Sequence, residues 1–254
     1  REMETLGGVV ASGDNDMSAS QDAINREMFA EAMEVIRLAW ANERFSYTGK
    51  HFVFPPPGIP DRGGTVTDLT LDPKPVHSTE IFQPATSPPT VEYIAGAGHT
   101  AIFAGGPLDR IARSWDRFAE LAAGHGRDLG PGEGRALHLN SFVGRTTQEA
   151  FSQGRDGPDE VVKFLRPYGR FQHYREDAPF DPAPTAEETA QVGHMLIGSI
   201  EEVADRIGTI RDRLSLQHLL LFPDFPGLTR SQIDDQLALL AEDVLPRVGV
   251  NLGT

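Results

Sequence analysis

From Asp22 to Trp40 apolar residues recur every four positions: Ile24, Met28, Ala32, Ile36 and Trp40, with Phe29 and Met33 widening the stripe. That period predicts an amphipathic helix. "RFSYTGKHFVF" (44–54) alternates instead and predicts a hairpin turning at Thr48–Gly49. "PPPGIPDRGG" reads as a loop, and "TVTDLTLDPKP" has room for a short strand that Pro73 ends.

Beyond residue 80 short apolar runs alternate with helical patterns. Strands are predicted at 81–85, 101–104, 136–143 and 217–222. Helices are predicted at 88–97, 107–125, 147–153, 158–168 and 230–246, with another opened by Ser199 and Glu202 in capping-box spacing. Residues 169–184 are aromatic, acidic and Pro rich, and read as a long loop of the kind that is usually functional. Strand alternating with helix is the grammar of a parallel sheet with helices outside. Four parallel strands in an open arc would leave two raw edges and a bare face, whereas a (β/α)8 barrel has eight strands. The chain therefore reads as the second half of a barrel, and a start at "REMETLGG" without an initiator Met agrees with that expectation.

Composition narrows the function classes. The 254 residues carry a formal charge of −14, which disfavours nucleic acid and anionic membranes as partners. With no Cys there are no disulfides, thiolate metal sites or thiol nucleophiles, and a cytoplasmic location is expected. The eight His are scattered without an HxxxH pair, so no metal is expected. "GDND" (13–16) lacks the Gly and closing Glu of a calcium loop. "GAGHTA" (96–101) imitates a dinucleotide fingerprint, but its glycines end a helix rather than open one, and Gly98 reads as a helix C-cap.

The loop after the first of the four strands, "ATSPPT", carries the chemistry. In a β/α unit that loop lies on the active face. Ser87 suits an N-cap, Pro88 the first helical position, and Thr90 follows three residues after the cap. Two hydroxyls beside a positive helix end make an anion seat. From this pattern alone plain capping is the commoner reading and anion binding the sharper one. Arg26 is either a solvated surface residue or a bidentate anion clamp. Phe222 and Phe225, after the last strand, either line an apolar pocket or pack over the barrel mouth.

Four stretches taken in order resemble the bacterial luciferase-like flavin-dependent monooxygenase family. They are "INREMFAEAMEVIRLAW" with "ERFSYTGKHFVF", "ATSPPTVEYIAGAGHTAIFAGG", "LIGSIEEVADRI" and "HLLLFPDFPGLTRSQIDDQLALLAEDVLPRV". The resemblance implies an α/β fold, the luciferase-like TIM barrel, with this chain covering strands 5–8 as a single domain. It implies reduced FMN as cofactor, O2 and a small organic molecule as substrates, and a flavin C4a-hydroperoxide as oxidant. It maps the flavin phosphate onto Arg26, Ser87 and Thr90, with Thr86 and Pro88 adjoining, and places Gly105 beside the flavin ring. It implies a lid over the flavin at 169–195, a separate flavin reductase, and a homo- or heterodimer. The matching stretches begin after the family's fourth strand, so catalytic side chains are not assigned. An F420-dependent oxidoreductase of the same fold and a non-catalytic flavin-binding half-barrel are the alternatives.

Overall fold

The computed structural model describes residues 19–154, 156–165 and 185–250. They form two compact units that divide after Thr79. The expected loop at 169–184 lies outside the described residues, as does most of the expected lid.

The first unit has one long helix, α1 (Ala19–Ala41), and two small hairpins, β1 (Tyr47–Thr48) with β2 (Val53–Phe54) and β3 (Pro60–Asp61) with β4 (Gly64–Thr65). The second hairpin falls where a loop is predicted. The first turns at Gly49–Phe52, one step later than predicted, because Glu31 of α1 holds that turn. Its carboxylate accepts the backbone N–H groups of Lys50 (3.2 Å), His51 (3.0 Å) and Phe52 (2.7 Å). Burial pushes the Glu31 carboxyl pKa up, and the N–H groups of Phe52 and His51 outweigh it, leaving the pKa lowered. A Cβ at position 49 would stand 2.1 Å from Glu31 Oε1, so only glycine fits there. The predicted apolar stripe of α1 is only partly covered: Met33 is buried, whereas Ile24, Phe29 and Ile36 stay more than a third exposed.

The second unit is a parallel sheet with its main helix layer on one face and shorter helices at the C-terminal end of the other. Its elements are β5 (Phe82–Pro84), α2 (Pro88–Ala97), β6 (Thr100–Ala104), α3 (Leu108–Gly124), β7 (Arg135–Gly144), α4 (Thr147–Gly154) and α5 (Asp156–Leu165). After the undescribed segment come α6 (Ala186–Gln191), β8 (Met195–Ser199), α7 (Ile200–Leu214), β9 (His218–Phe222) and α8 (Arg230–Ala238). The closing helix expected at 230–246 loosens after Ala238 into a π-helical turn and then a 3-10 turn ending at Val248. Gly98 caps α2 with φ 78°, the left-handed conformation its residue type favours.

The sheet has a fifth parallel strand that the four-strand reading misses. β8 is a fully apolar run joined to α7 with no loop between them, so Ser199 both ends the strand and caps the helix. Periodicity alone does not separate such a run from a buried helical turn.

β7 organises the sheet. β6 pairs with its residues 135–138 and β8 with its residues 140–144, while β9 pairs with 136–140. β6 and β8 meet end to end: Gly105 N–H donates to His138 C=O, and a Cβ on Gly105 would fall 2.8 Å from Gly193 O and 2.9 Å from His194 O. Where β9 stops, the Gln236 side chain takes over. It accepts from Val143 N–H (2.7 Å) and donates to Val143 C=O (2.8 Å), so its amide stands in for a strand.

Register sorts the side chains into two faces. Ala101, Phe103, Leu137, Leu139 and Val143 face the helices and build the main core with Trp115, Phe118, Val203 and Ile207. At the foot of β7, buried Arg135 donates to the carbonyls of Gly130, Glu133 and Trp115 and lies 5.8 Å over the Trp115 ring. The opposite face carries Pro84, Ile102, Ala104, His138, Asn140, Leu220 and Phe222. A second core of Phe142, Val162, Ala190, Met195, Ile197 and Phe225 covers the C-terminal end of that face.

Gln236 is 3% exposed, so its loss leaves two buried backbone groups without partners. Gln236→Leu is expected to cost about 2–4 kcal/mol in urea unfolding. A cost below ~1 kcal/mol would show that the amide is not needed to complete the β7 edge.

Candidate active site

The C-terminal ends of the parallel strands carry the loops that can meet a ligand. After β5 the chain runs through Thr86 and Ser87 into α2. Thr86 and Pro88 are exposed, while Ser87 and Thr90 are partly buried. Ser87 sits at the N-cap in extended conformation, as expected, but its side chain caps no backbone N–H. Pro88 and Pro89 bring no N–H to the first two helical positions, and the remaining candidate, the Thr90 N–H at the third, is left unbonded by the Ser87 side chain. The Ser87 Oγ instead pairs with Thr90 Oγ1 at 2.9 Å. The helices opened by Thr185, Ser199 and Thr229 all have complete capping boxes, so α2 differs from them in keeping its cap hydroxyl off the backbone. Two joined hydroxyls at the positive end of a ten-residue helix suit a phosphate's oxygens.

Arg26 is an exposed residue of α1 in the first unit, whereas Ser87 and Thr90 belong to the second. Gly105 ends β6, and its missing Cβ is explained by Leu139 Cδ2 at 2.2 Å and by the Gly193 and His194 carbonyls. Its residue type therefore answers to packing on the helix side. Phe222 is 50% exposed on the inner face, while Phe225 is 2% exposed inside the second core, 6.4 Å from Phe142.

Two polar side chains on this face escaped the sequence reading, His138 and Asn140. The signal was available in "RALHLNSFVG", where they alternate with Leu137 and Leu139 and so must point away from the helices. His138 meets Phe222 edge-on, with ring centroids 4.5 Å apart, and burial lowers its pKa. At the other end of the face His218 packs edge-on against Phe82 at 5.1 Å. Among the described residues no three His, Asp or Glu side chains converge as a metal site, and no helix is long and apolar enough to cross a membrane.

His194 enters β8 and locks the loop after β6. Its ring lies 3.4 Å from where a Gly106 Cβ would be and hydrogen-bonds the Gly105 backbone. Burial lowers its pKa to about 4. The unfolded chain then binds a proton that the folded one refuses, so stability is complete above pH ~6.5 and falls as pH drops toward 4. Between pH 6.5 and 5, before carboxylates protonate, the decline is expected to approach about 1.4 kcal/mol per pH unit for this group. His194→Gln should flatten it, as read from urea midpoints across that range; an unchanged slope would remove His194 as its source.

A family model described as "Luciferase-like monooxygenase" matches residues 8–217. Among solved structures, one similar chain is the oxygenating constituent of 3,6-diketocamphane monooxygenase from Pseudomonas putida, a type II Baeyer–Villiger monooxygenase in complex with FMN. It is 18% identical with a TM-score of 0.67, over 97% of this chain and 68% of that one. The monooxygenase RslO1 from Streptomyces bottropensis is 21% identical with a TM-score of 0.61, over 96% and 64%. An F420-dependent secondary alcohol dehydrogenase in complex with an F420–acetone adduct is 15% identical with a TM-score of 0.59, over 89% and 62%. No curated protein matches in sequence. The chain spans about two thirds of the length of these structures, and identities this low speak for the fold alone. The family match covers most of the chain, and by it the protein belongs to the luciferase-like monooxygenase family.

Proposed function

We propose that the chain is the flavin-phosphate-binding part of an FMN-dependent monooxygenase that oxidises a small organic molecule, and that it forms the second half of the barrel. The observation that carries this is the Ser87–Thr90 hydroxyl pair at the start of α2. A helix start whose cap hydroxyl is withheld from the backbone is suited to something other than capping. Reduced flavin would supply the activation of O2, and the chain's own residues would do the holding. Ser87 and Thr90 would bind phosphate oxygens with the positive helix end, and Thr86 and Pro88 would flank them. Phe82, Ile102, Leu220 and Phe222 would keep water off the inner face. A separate reductase would deliver the reduced flavin; of the lid expected at 169–195, the part from Ala186 on is α6 and the start of β8, held in the second core, so only the part before it would close over the flavin. The family resemblance also assigns Arg26 to the phosphate, and Gly105, through its backbone, to the flavin ring.

F420 would offer the same seat a similar phosphate, and its family relative with a bound F420 adduct keeps that reading open. Anaerobic titration with reduced FMN and with F420 decides between them. Tight FMN binding without turnover would make the chain a binding module.

Because Ser87 caps no N–H, Ser87→Ala is expected to change unfolding free energy by less than ~0.5 kcal/mol, against about 1 kcal/mol for an ordinary cap. It should weaken reduced FMN by about 1–1.5 kcal/mol, and Arg26→Ala by roughly 1.5–3 kcal/mol. A stability loss from Ser87→Ala with unaltered flavin affinity would return Ser87 to a capping role.

A further inference from the structure

On the inner face of the sheet one polar atom has no answer. His138 lies level with Ala104 and Leu220. Its Nε2 is shut off from solvent and has no hydrogen-bond partner among the described residues. An unpaired buried polar atom is costly, and such atoms in a folded protein usually serve a ligand or a water. Phe222, one step nearer the C-terminal ends of the strands and level with Asn140, stands edge-on against the imidazole. Phe222 is 50% exposed, so among the described residues its outer side is left open.

The surroundings describe the guest. By register, the residues of β5, β6, β7 and β9 on this face include Phe82, Ile102, Ala104, Leu220 and Asn140, and none is Lys or Arg; a second imidazole, His218, lies at the far end beside Glu80. Arg135, the cation of β7, faces the helices and is spent on three carbonyls. Burial lowers the imidazole's pKa and so favours its neutral form. With its proton on Nε2, His138 gives these strands a hydrogen-bond donor in an apolar wall, while no Lys or Arg stands beside it for an anion.

We propose that His138 and Phe222 form a substrate latch, in which a neutral carbonyl compound displaces the Phe222 ring and accepts a hydrogen bond from His138 Nε2. Asn140 stands one layer above and can donate to the same oxygen. Sulfonates and polycarboxylates are disfavoured, because a neutral imidazole does not replace the cation they need. The claim that the carbonyl compound is oxidised rests on the monooxygenase reading; the binding itself does not.

The test follows the His138 ring by NMR in the full chain, without flavin, while cyclohexanone or 1-hexanesulfonate is added. Cyclohexanone should shift the His138 signals saturably at pH 7, and hexanesulfonate should not. His138→Leu, close in volume, should weaken cyclohexanone at least fivefold, and His138→Gln, which keeps a donor, should recover part of that. In Phe222→Ala, which removes a half-exposed ring, the His138 pKa should climb toward its ordinary value. Equal cyclohexanone affinity in His138→Leu, or stronger binding of the sulfonate at His138, would overturn the latch. Reduced FMN is titrated separately into the same proteins. If flavin fails to bind while cyclohexanone still shifts His138, the flavin reading falls and the latch stands. If flavin binds and His138 ignores cyclohexanone, the latch alone falls.

Discussion

A ten-residue buried strand must satisfy its backbone N–H and C=O groups along both edges, and β7 is longer than any strand available to pair with it. The solution shapes everything after residue 80. β6 and β8 share β7 lengthwise, meeting where Gly105 and Gly193 allow backbone to touch backbone. β9 and then the Gln236 amide complete the remaining pairing. Because β7 is held along its whole length, its alternation is fixed, and Leu137 and Leu139 cannot exchange faces with His138 and Asn140. The chemistry of the inner face is thus a consequence of how the strand is gripped.

The same logic explains why the cofactor end and the substrate end differ in kind. At α2 the relevant groups are hydroxyls on a helix start, where the cap side chain bonds no backbone N–H. On β7 they are an imidazole and a carboxamide in an apolar setting. An anion suits the first and a neutral polar atom the second.

Much of this was legible in the sequence. The bounds of α2, the capping box at Ser199 and the parallel alternation follow from local pattern, because local hydrogen bonding and one-sided burial dictate them. What was not legible depends on distant parts of the chain. β8 hid because its apolar run has neither a turn nor a polar break before α7. Gln236 looks like any helical glutamine until β9 ends beside it, 93 residues from its partner. Ser87 carried the signature of a cap, yet its hydroxyl pairs with that of Thr90 instead of a backbone N–H. Phe225 and Phe222 read alike in "FPDFPG", and only the second core tells the buried one from the exposed one.

The end-to-end meeting of β6 and β8 has a consequence for how such a protein can diversify. The chain leaves β7 at Gly144 and re-enters the same edge at Met195, in register with Asn140 four residues back along the strand. Whatever lies between is an excursion with both feet on one edge of β7, so the parts of it that do not enter the second core can be rewritten without moving β5, β6, β9 or the helix that follows β5. The glycine contact at its return would also be closed to change. A lineage could then revise the part of the site carried by the excursion while inheriting the phosphate seat intact.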